Sequence, residues 1–318
     1  MANRKHGQYM SETLLESTPL IARWKAQLKL WVLASRPKTL GAAVAPVMVA
    51  SALAFENGKF AFWPMLACLV GSLLLQLGTN FANDYFDFVQ GADTEERLGP
   101  VRVTQAGLIA PETVRNAFIL MFALVAVPGV YLSFVGGWPV FVIGLLSVIS
   151  GILYTAGPYA LAYLGLGDIF VLIFFGVVAT VGTYYVQALE LNVPIFLASL
   201  GPGLFSTAIL AVNNLRDRLT DTESRKRTLA VRFGAQFARI EYLLCCLVAC
   251  LMPWAIYGFT SEKHPYSLVA SFTFLWCIPT LIKVFKLDAD PALNPLLGQT
   301  GKFLLVYSAL FSIGWVLQ

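Results

Sequence analysis

Charge is what this 318-residue chain has least of. Only 13% of its residues are Asp, Glu, Lys or Arg, where a soluble domain carries about 25%. It has two His and five Cys. Cys68, Cys245, Cys246, Cys250 and Cys277 fall inside apolar stretches at spacings that fit neither a zinc site nor a disulfide framework, which leaves them as buried packing residues. His6 sits in the polar N-terminal stretch and His264 in a short polar connection, and neither is placed for catalysis. There is no Walker loop, no GxGxxG ahead of a strand and no GxSxG, so nucleotide binding and nucleophilic serine chemistry have no support. Nothing points to a nucleic-acid partner.

What is present is apolar length: 58% of the chain is hydrophobic. A membrane span needs roughly 20 mainly apolar residues. Nine segments qualify, near 37–55, 62–83, 113–134, 138–156, 166–188, 194–214, 240–259, 266–285 and 301–317. They are too long and alternate too little for barrel strands. The expected fold is an all-α integral membrane bundle of nine helices in one domain, 24–318. Residues 1–23 are polar, lack the apolar core of a signal peptide, and read as a disordered cytoplasmic tail. An amphipathic stretch follows at Trp24–Leu33.

Basic residues are nearly absent from one side. Of 22 Lys and Arg, all but Lys59 and Lys263 fall in the tail or in connections on one face of the membrane. Positive residues stay inside, so the N-terminus and the connections 84–112 and 215–239 are expected to be cytoplasmic. Six of the chain's eight Asp residues cluster in motifs at span ends on that side. Asn80, Asn83, Asp84 and Asp87 close the second span, with Asp93 beyond. Asn213, Asn214, Asp217 and Asp221 close the sixth. Asp84 and Asp87, three apart, and Asp217 and Asp221, four apart, each share a helix face. Like charges so placed repel unless a cation joins them. Carboxylates and amides without His or Cys suit Mg²⁺, which commonly takes one or two carboxylates plus phosphate oxygens. Arg97 and Arg102 follow the first cluster, and Lys226 and Arg227 the second, as phosphate partners; the positive-inside bias alone would also place basic residues there. Asp168, at the start of the fifth span, is an intramembrane acid with either a functional or a helix-capping role.

These runs resemble the UbiA-type intramembrane prenyltransferases: RPKT (36–39), NDYFDFVQGADT (83–94), RLGPVR (97–102), YTAGP (154–158), GLGD (165–168), NNLRDRLTD (213–221) and KRTLAVRFG (226–234). Within that superfamily they are most similar to the 1,4-dihydroxy-2-naphthoate polyprenyltransferase branch of menaquinone synthesis. The resemblance implies nine helices around a central cavity, Mg²⁺ and a polyprenyl diphosphate donor. The reaction it implies is alkylation of the naphthoate at its carboxylate-bearing carbon, with loss of CO₂ and diphosphate. Asp84, Asp87, Asp217 and Asp221, with Asn83 and Asp93, would hold metal. Arg97, Arg102, Lys226, Arg227, Asn80, Asn213 and Asn214 would serve the diphosphate, and Asp168, Tyr154, Arg36 and Lys38 the acceptor. Aromatic faces, among them Tyr154, Tyr159, Phe174, Phe175, Tyr184 and Tyr185, would shield an allylic cation. Two departures stand out. Pro158 occupies the Lys position of a Tyr-x-x-x-Lys motif common in the superfamily, and Arg225 stands where a Gly often precedes the Lys. Rival readings are a sibling enzyme using 4-hydroxybenzoate, homogentisate or chlorophyllide, and a cation-coupled transporter. A CDP-alcohol phosphotransferase would need an Asp-Gly…Ala-Arg pattern that is missing.

Overall fold

The computed structural model describes residues 20–91, 98–157, 160–260 and 263–317, and the side chains of residues 20–23 are not among those described. Every regular element in them is helical. α1 (Leu20–Ser35) leads through Arg36 into α2 (Pro37–Glu56), whose Pro37 supplies a preset φ at the first helical position. α3 (Phe62–Val89), α4 (Pro111–Gly136) and α5 (Trp138–Leu153) follow. α6 (Gly167–Ala188) is α-helical at both ends and π-helical over Leu172–Val178. α7 (Val193–Glu223) and α8 (Leu229–Phe259) are the longest, and α8 breaks at Gly234. α9 (Pro265–Lys286) begins as a 3₁₀ turn, and α10 (Leu293–Val316) ends the bundle.

Eight of these helices, α2 to α4 and α6 to α10, have the length and hydropathy to cross a membrane. The remaining expected span corresponds to α5, a 16-residue apolar helix. At about 1.5 Å per residue it is about 24 Å long, short of a 30 Å hydrocarbon layer. The tail expected over 1–23 gives way to helix already at Leu20, and residues 1–19 lie outside the described residues.

Two of three hydrophobic clusters among the described residues make up most of the core. The larger joins α2 and α6 to α10 and centres on α7, through residues such as Phe205, Leu215, Tyr242, Phe303 and Tyr307. α6 and α7 touch backbone to backbone. A Cβ on Gly176 would lie 3.0 Å from the Gly203 Cα and from the Ser199 carbonyl oxygen, so the π-helical segment needs glycine there. The smaller core joins α1, α3 and α4 to the connection 98–110 through Phe81, Val103, Ile109 and Phe118. The five Cys are buried and free, as their spacing implied.

α3 and α7 matter most for function. They run past their expected ends at 83 and 214 to Val89 and Glu223, because no Gly or Pro interrupts either one there. Both Asp pairs therefore sit on helix, not loop.

Candidate active site

Three connections converge on the ends of α3 and α7. The first, 98–110, folds over Asp84. The backbone N–H groups of Val103 and Thr104 each donate to its carboxylate at 3.3 Å, and turns from Arg102 to Ala106 and Val103 to Leu108 hold the loop in place. Asp84 is 2% exposed. The second, after α5, is clipped to α3. The Thr155 hydroxyl donates to the Asn83 side-chain oxygen, and the Gln90 amide donates to the Thr155 carbonyl at 3.0 Å. The third, 224–228, links α7 to α8. The Lys226 N–H donates to the Asp221 carbonyl at 2.8 Å, and Thr228 caps α8 by accepting from the Val231 N–H.

The second and third connections also meet each other. The Arg227 N–H donates to the Tyr163 carbonyl at 3.0 Å, and Arg232 donates to the Leu164 carbonyl at 2.8 Å. Gly165, at φ 71°, allows this approach: a Cβ there would sit 2.6 Å from the Arg227 carbonyl oxygen.

Asp87 is where the two motifs join. One carboxylate oxygen pairs with Arg102 at 2.8 Å and the other with Lys226 at 3.1 Å. The Tyr163 hydroxyl approaches the Lys226-facing oxygen at 3.5 Å, and the Lys226 ammonium lies 5.1 Å from the Tyr163 ring centre. Lys226 thus places a lysine beside the first motif. The 139-residue separation of Asp87 and Lys226 made the pair invisible in sequence.

At the second motif, Arg216 is the organiser. It is 1% exposed and grips Asp217 with two bonds, Nε to Oδ1 at 2.8 Å and Nη2 to Oδ2 at 2.6 Å. It also donates to the side-chain oxygens of Asn213 and Asn294, both at 2.8 Å. Asn294, at the start of α10, donates in turn to the Leu98 carbonyl at 2.8 Å. Asn214 donates to Asp168 at 3.4 Å, and both are buried. Asp168 is the second residue of α6, whose N-cap is Leu166.

Tyr154 stands between the motifs, within electrostatic reach of Asp168, Asp87, Asp221 and Arg36. Its hydroxyl lies 3.0 Å from where a Cβ on Gly167 would be, so glycine at the head of α6 leaves the phenol its room. Arg36 is in reach of Asp84 as well, and holds a left-handed φ of 50°. A non-glycine residue rarely takes that conformation without a reason.

The other expected residues divide. Asn80 acts as a strut, donating to the Ser35 carbonyl at 2.9 Å. Lys38 lies along α10, its stem against Gly298. Arg227 serves through its main chain while its side chain is exposed. Asp93, Arg97 and Tyr159 lie outside the described residues. Tyr184 is at the far end of the bundle, where its hydroxyl accepts from Asn57 and Asn192, so it cannot face a cation at the motifs. Tyr185, beside Gly136 at the end of α4, is at that end too. Arg216, Asn294, Thr155 and Tyr163 are not among the residues that the sequence singles out. Neither is Glu241, a lone acid in the apolar run of α8 within electrostatic reach of Asp168. An ionisable residue inside a span was the signal available for it.

Arg225 takes φ 60°, the left-handed conformation that favours glycine, at the position where the superfamily often has one. Its side chain is exposed. Arg225→Gly should therefore leave stability unchanged or raise it by up to about 1 kcal/mol, read as the thermal midpoint in detergent. A clear fall would mean the Arg225 side chain holds the loop.

Among the described residues no three His, Cys, Asp or Glu side chains are close enough together to hold a metal ion. The acids instead come in pairs, occupied by Arg102, Lys226 and Arg216. Mg²⁺ needs only one or two carboxylates when phosphate oxygens complete its shell, so buried pairs of hard oxygen donors beside cations fit Mg²⁺ with a diphosphate.

The UbiA prenyltransferase family profile matches residues 43–313. The chain belongs to the UbiA prenyltransferase family. It is 37% identical over 297 residues to 1,4-dihydroxy-2-naphthoate octaprenyltransferase of Escherichia coli, covering 89% of this chain and 94% of that one. It is 36% identical over 306 residues to the protein of that name in Haemophilus influenzae, covering 91% and 96%. Its fold is that of a UbiA homolog from Archaeoglobus fulgidus solved with GPP and Mg²⁺, with a TM-score of 0.64 at 15% identity, covering 91% of this chain and all of the other. The chain is a multi-pass membrane prenyltransferase.

Proposed function

We propose that this prenyltransferase moves a polyprenyl group from its diphosphate onto 1,4-dihydroxy-2-naphthoate, releasing diphosphate and CO₂ and yielding demethylmenaquinol. The observation that carries the reading is Asp87 held between Arg102 and Lys226. Two cations from opposite halves of the chain meet at one buried carboxylate, and a diphosphate offers them more negative charge than Asp87 does. When the donor arrives, Arg102 and Lys226 turn to its oxygens, and Asp87 is released to act with Asp84.

Asp84 and Asp87, with Asn83, would hold one Mg²⁺, and Asp217 and Asp221 a second. Mg²⁺ supplies charge neutralisation of the leaving diphosphate. The protein's own part is positioning. Arg216 fixes Asp217, and the loop N–H groups of Val103 and Thr104 fix Asp84, so little reorganisation is needed as charge develops on the leaving group. The C–O bond of the donor breaks, its C1 joins the ring carbon bearing the carboxylate, and loss of CO₂ restores the aromatic ring. Tyr154, between the motifs, presents its face to the allylic carbon. Asp168 holds a ring hydroxyl and Arg36 the acceptor carboxylate before it leaves. The motif end faces the cytoplasm, since the basic residues other than Lys59 and Lys263 gather there.

The relatives named for this reaction in Escherichia coli and Haemophilus influenzae support the acceptor. The test is purified protein with Mg²⁺, a polyprenyl diphosphate and an acceptor panel, the naphthoate labelled at its carboxyl carbon. Prenylated product with matching release of labelled CO₂ is expected. Alkylation of 4-hydroxybenzoate in preference to the naphthoate would move the assignment to a sibling enzyme, and alkylation of none would overturn it.

A further inference from the structure

Nothing in the prenyl-transfer chemistry uses the amphipathic stretch at Trp24–Leu33. It forms most of α1, which at 16 residues and with its lysines is too short and too charged to cross a membrane. α1 breaks from α2 at Arg36, whose left-handed φ of 50° turns the chain. It then lies against the motif end of α3. Trp31 meets Phe81 edge to face, with ring centroids 5.5 Å apart, and the Asn80 amide donates to the Ser35 carbonyl at 2.9 Å. Phe81 belongs to a helix that crosses the membrane, near the end of its apolar run, so α1 sits at the level where that run ends.

Three faces run along α1. Leu30, Trp31 and Ala34 turn toward the bundle and join the smaller core. Trp24, Leu28 and Val32, spaced four apart, form a stripe that the described residues leave open: they are 71%, 64% and 48% exposed. Lys25 and Lys29, also four apart, run beside that stripe and are exposed too.

The protein is a multi-pass membrane protein, so a bilayer surrounds the bundle at this level. A helix with Trp and Leu on one face and Lys on the next suits the plane of a membrane surface. Its apolar side chains sink below the headgroups, and its ammonium groups stay among them. The local charge selects which headgroups. Residues 17–55 hold Arg23, Lys25, Lys29, Arg36 and Lys38 and no Asp or Glu. A segment of one sign is complementary to anionic lipid. A second copy of α1 packed on the stripe would instead bring four lysines together, which charge disfavours.

We propose that α1 is an in-plane anchor: the stripe of Trp24, Leu28 and Val32 enters the bilayer, and Lys25 and Lys29 gather anionic phospholipid beside it.

The test reads the lipid next to α1 and not the lipid around the whole bundle. The five native Cys are buried, so a Leu28→Cys variant takes a neutral thiol fluorophore at one position. The full-length protein is placed in nanodiscs of equal phosphatidylglycerol and phosphatidylcholine, with bromine quenchers on the acyl chains of one lipid or of the other. Quenching is expected, with a local preference for phosphatidylglycerol of roughly tenfold or more, since each lysine near an anionic surface favours it about fivefold. Lys25→Gln together with Lys29→Gln, both at exposed positions, should bring the two quenchers level. Absence of quenching by either lipid would put the stripe outside the bilayer and overturn the proposal. Equal quenching with both lysines present, or a preference that survives the loss of both, would overturn it too.

Discussion

Asp87→Asn should lower kcat by roughly 10²- to 10³-fold, the scale expected when one preorganised charge at a developing anion is lost, while donor binding without metal is held or strengthened. The two halves of this result come from one geometry. Asp87 neutralises Arg102 and Lys226 in the unliganded protein, at 2.8 and 3.1 Å. Asn keeps the size and loses the charge, so both cations become available to diphosphate at no cost of breaking an ion pair. Turnover falls because the carboxylate is missing from the metal-holding pair. The measurement is kcat with saturating Mg²⁺, set beside diphosphate affinity in chelator. If Asp87 served only to fold the site, both quantities would worsen together. If it played no part, neither would move.

That split also shows how much of the site the sequence carries. The Asp pairs were legible because each lies within one helical turn, and spacing alone puts Asp84 with Asp87 and Asp217 with Asp221 on one face. The helical membrane fold was legible from apolar length. The cation partners were not. Lys226 meets Asp87 because the 160–166 connection, with Gly165 pressed to the Arg227 carbonyl, fixes the 224–228 loop against α3. No periodicity encodes a contact between two loops. Charge counts blurred the matter further, since basic residues cluster on this side for topology as well as for binding. Arg216 was hidden differently. It sits inside a recognised motif, between Asn214 and Asp217, and only its burial reveals that it faces inward.

Arg216→Met carries the largest expected cost to stability. Arg216 is 1% exposed and all of its polar nitrogens are engaged: Asp217 takes two bonds, Asn213 and Asn294 one each. Removing it leaves the Asp217 carboxylate buried without its counter-charge, and breaking a buried pair from one side costs about 3–5 kcal/mol. It also frees Asn294, and so loosens the start of α10 from the Leu98 connection that leads to Arg102. A large drop in the thermal midpoint of the detergent-solubilised protein should follow, with loss of turnover. Arg216→Met combined with Asp217→Asn should recover much of the midpoint and none of the activity, because the uncompensated charge is gone but the carboxylate is too. The exposed pair Arg218–Asp288 is the control. Its 2.7 Å contact is about as short as that of Arg216 with Asp217, yet in solvent it is worth about 0–1 kcal/mol, and Arg218→Met should leave the midpoint nearly unmoved. Equal effects at the two arginines would mean that burial, not bond length, has been misjudged at Asp217.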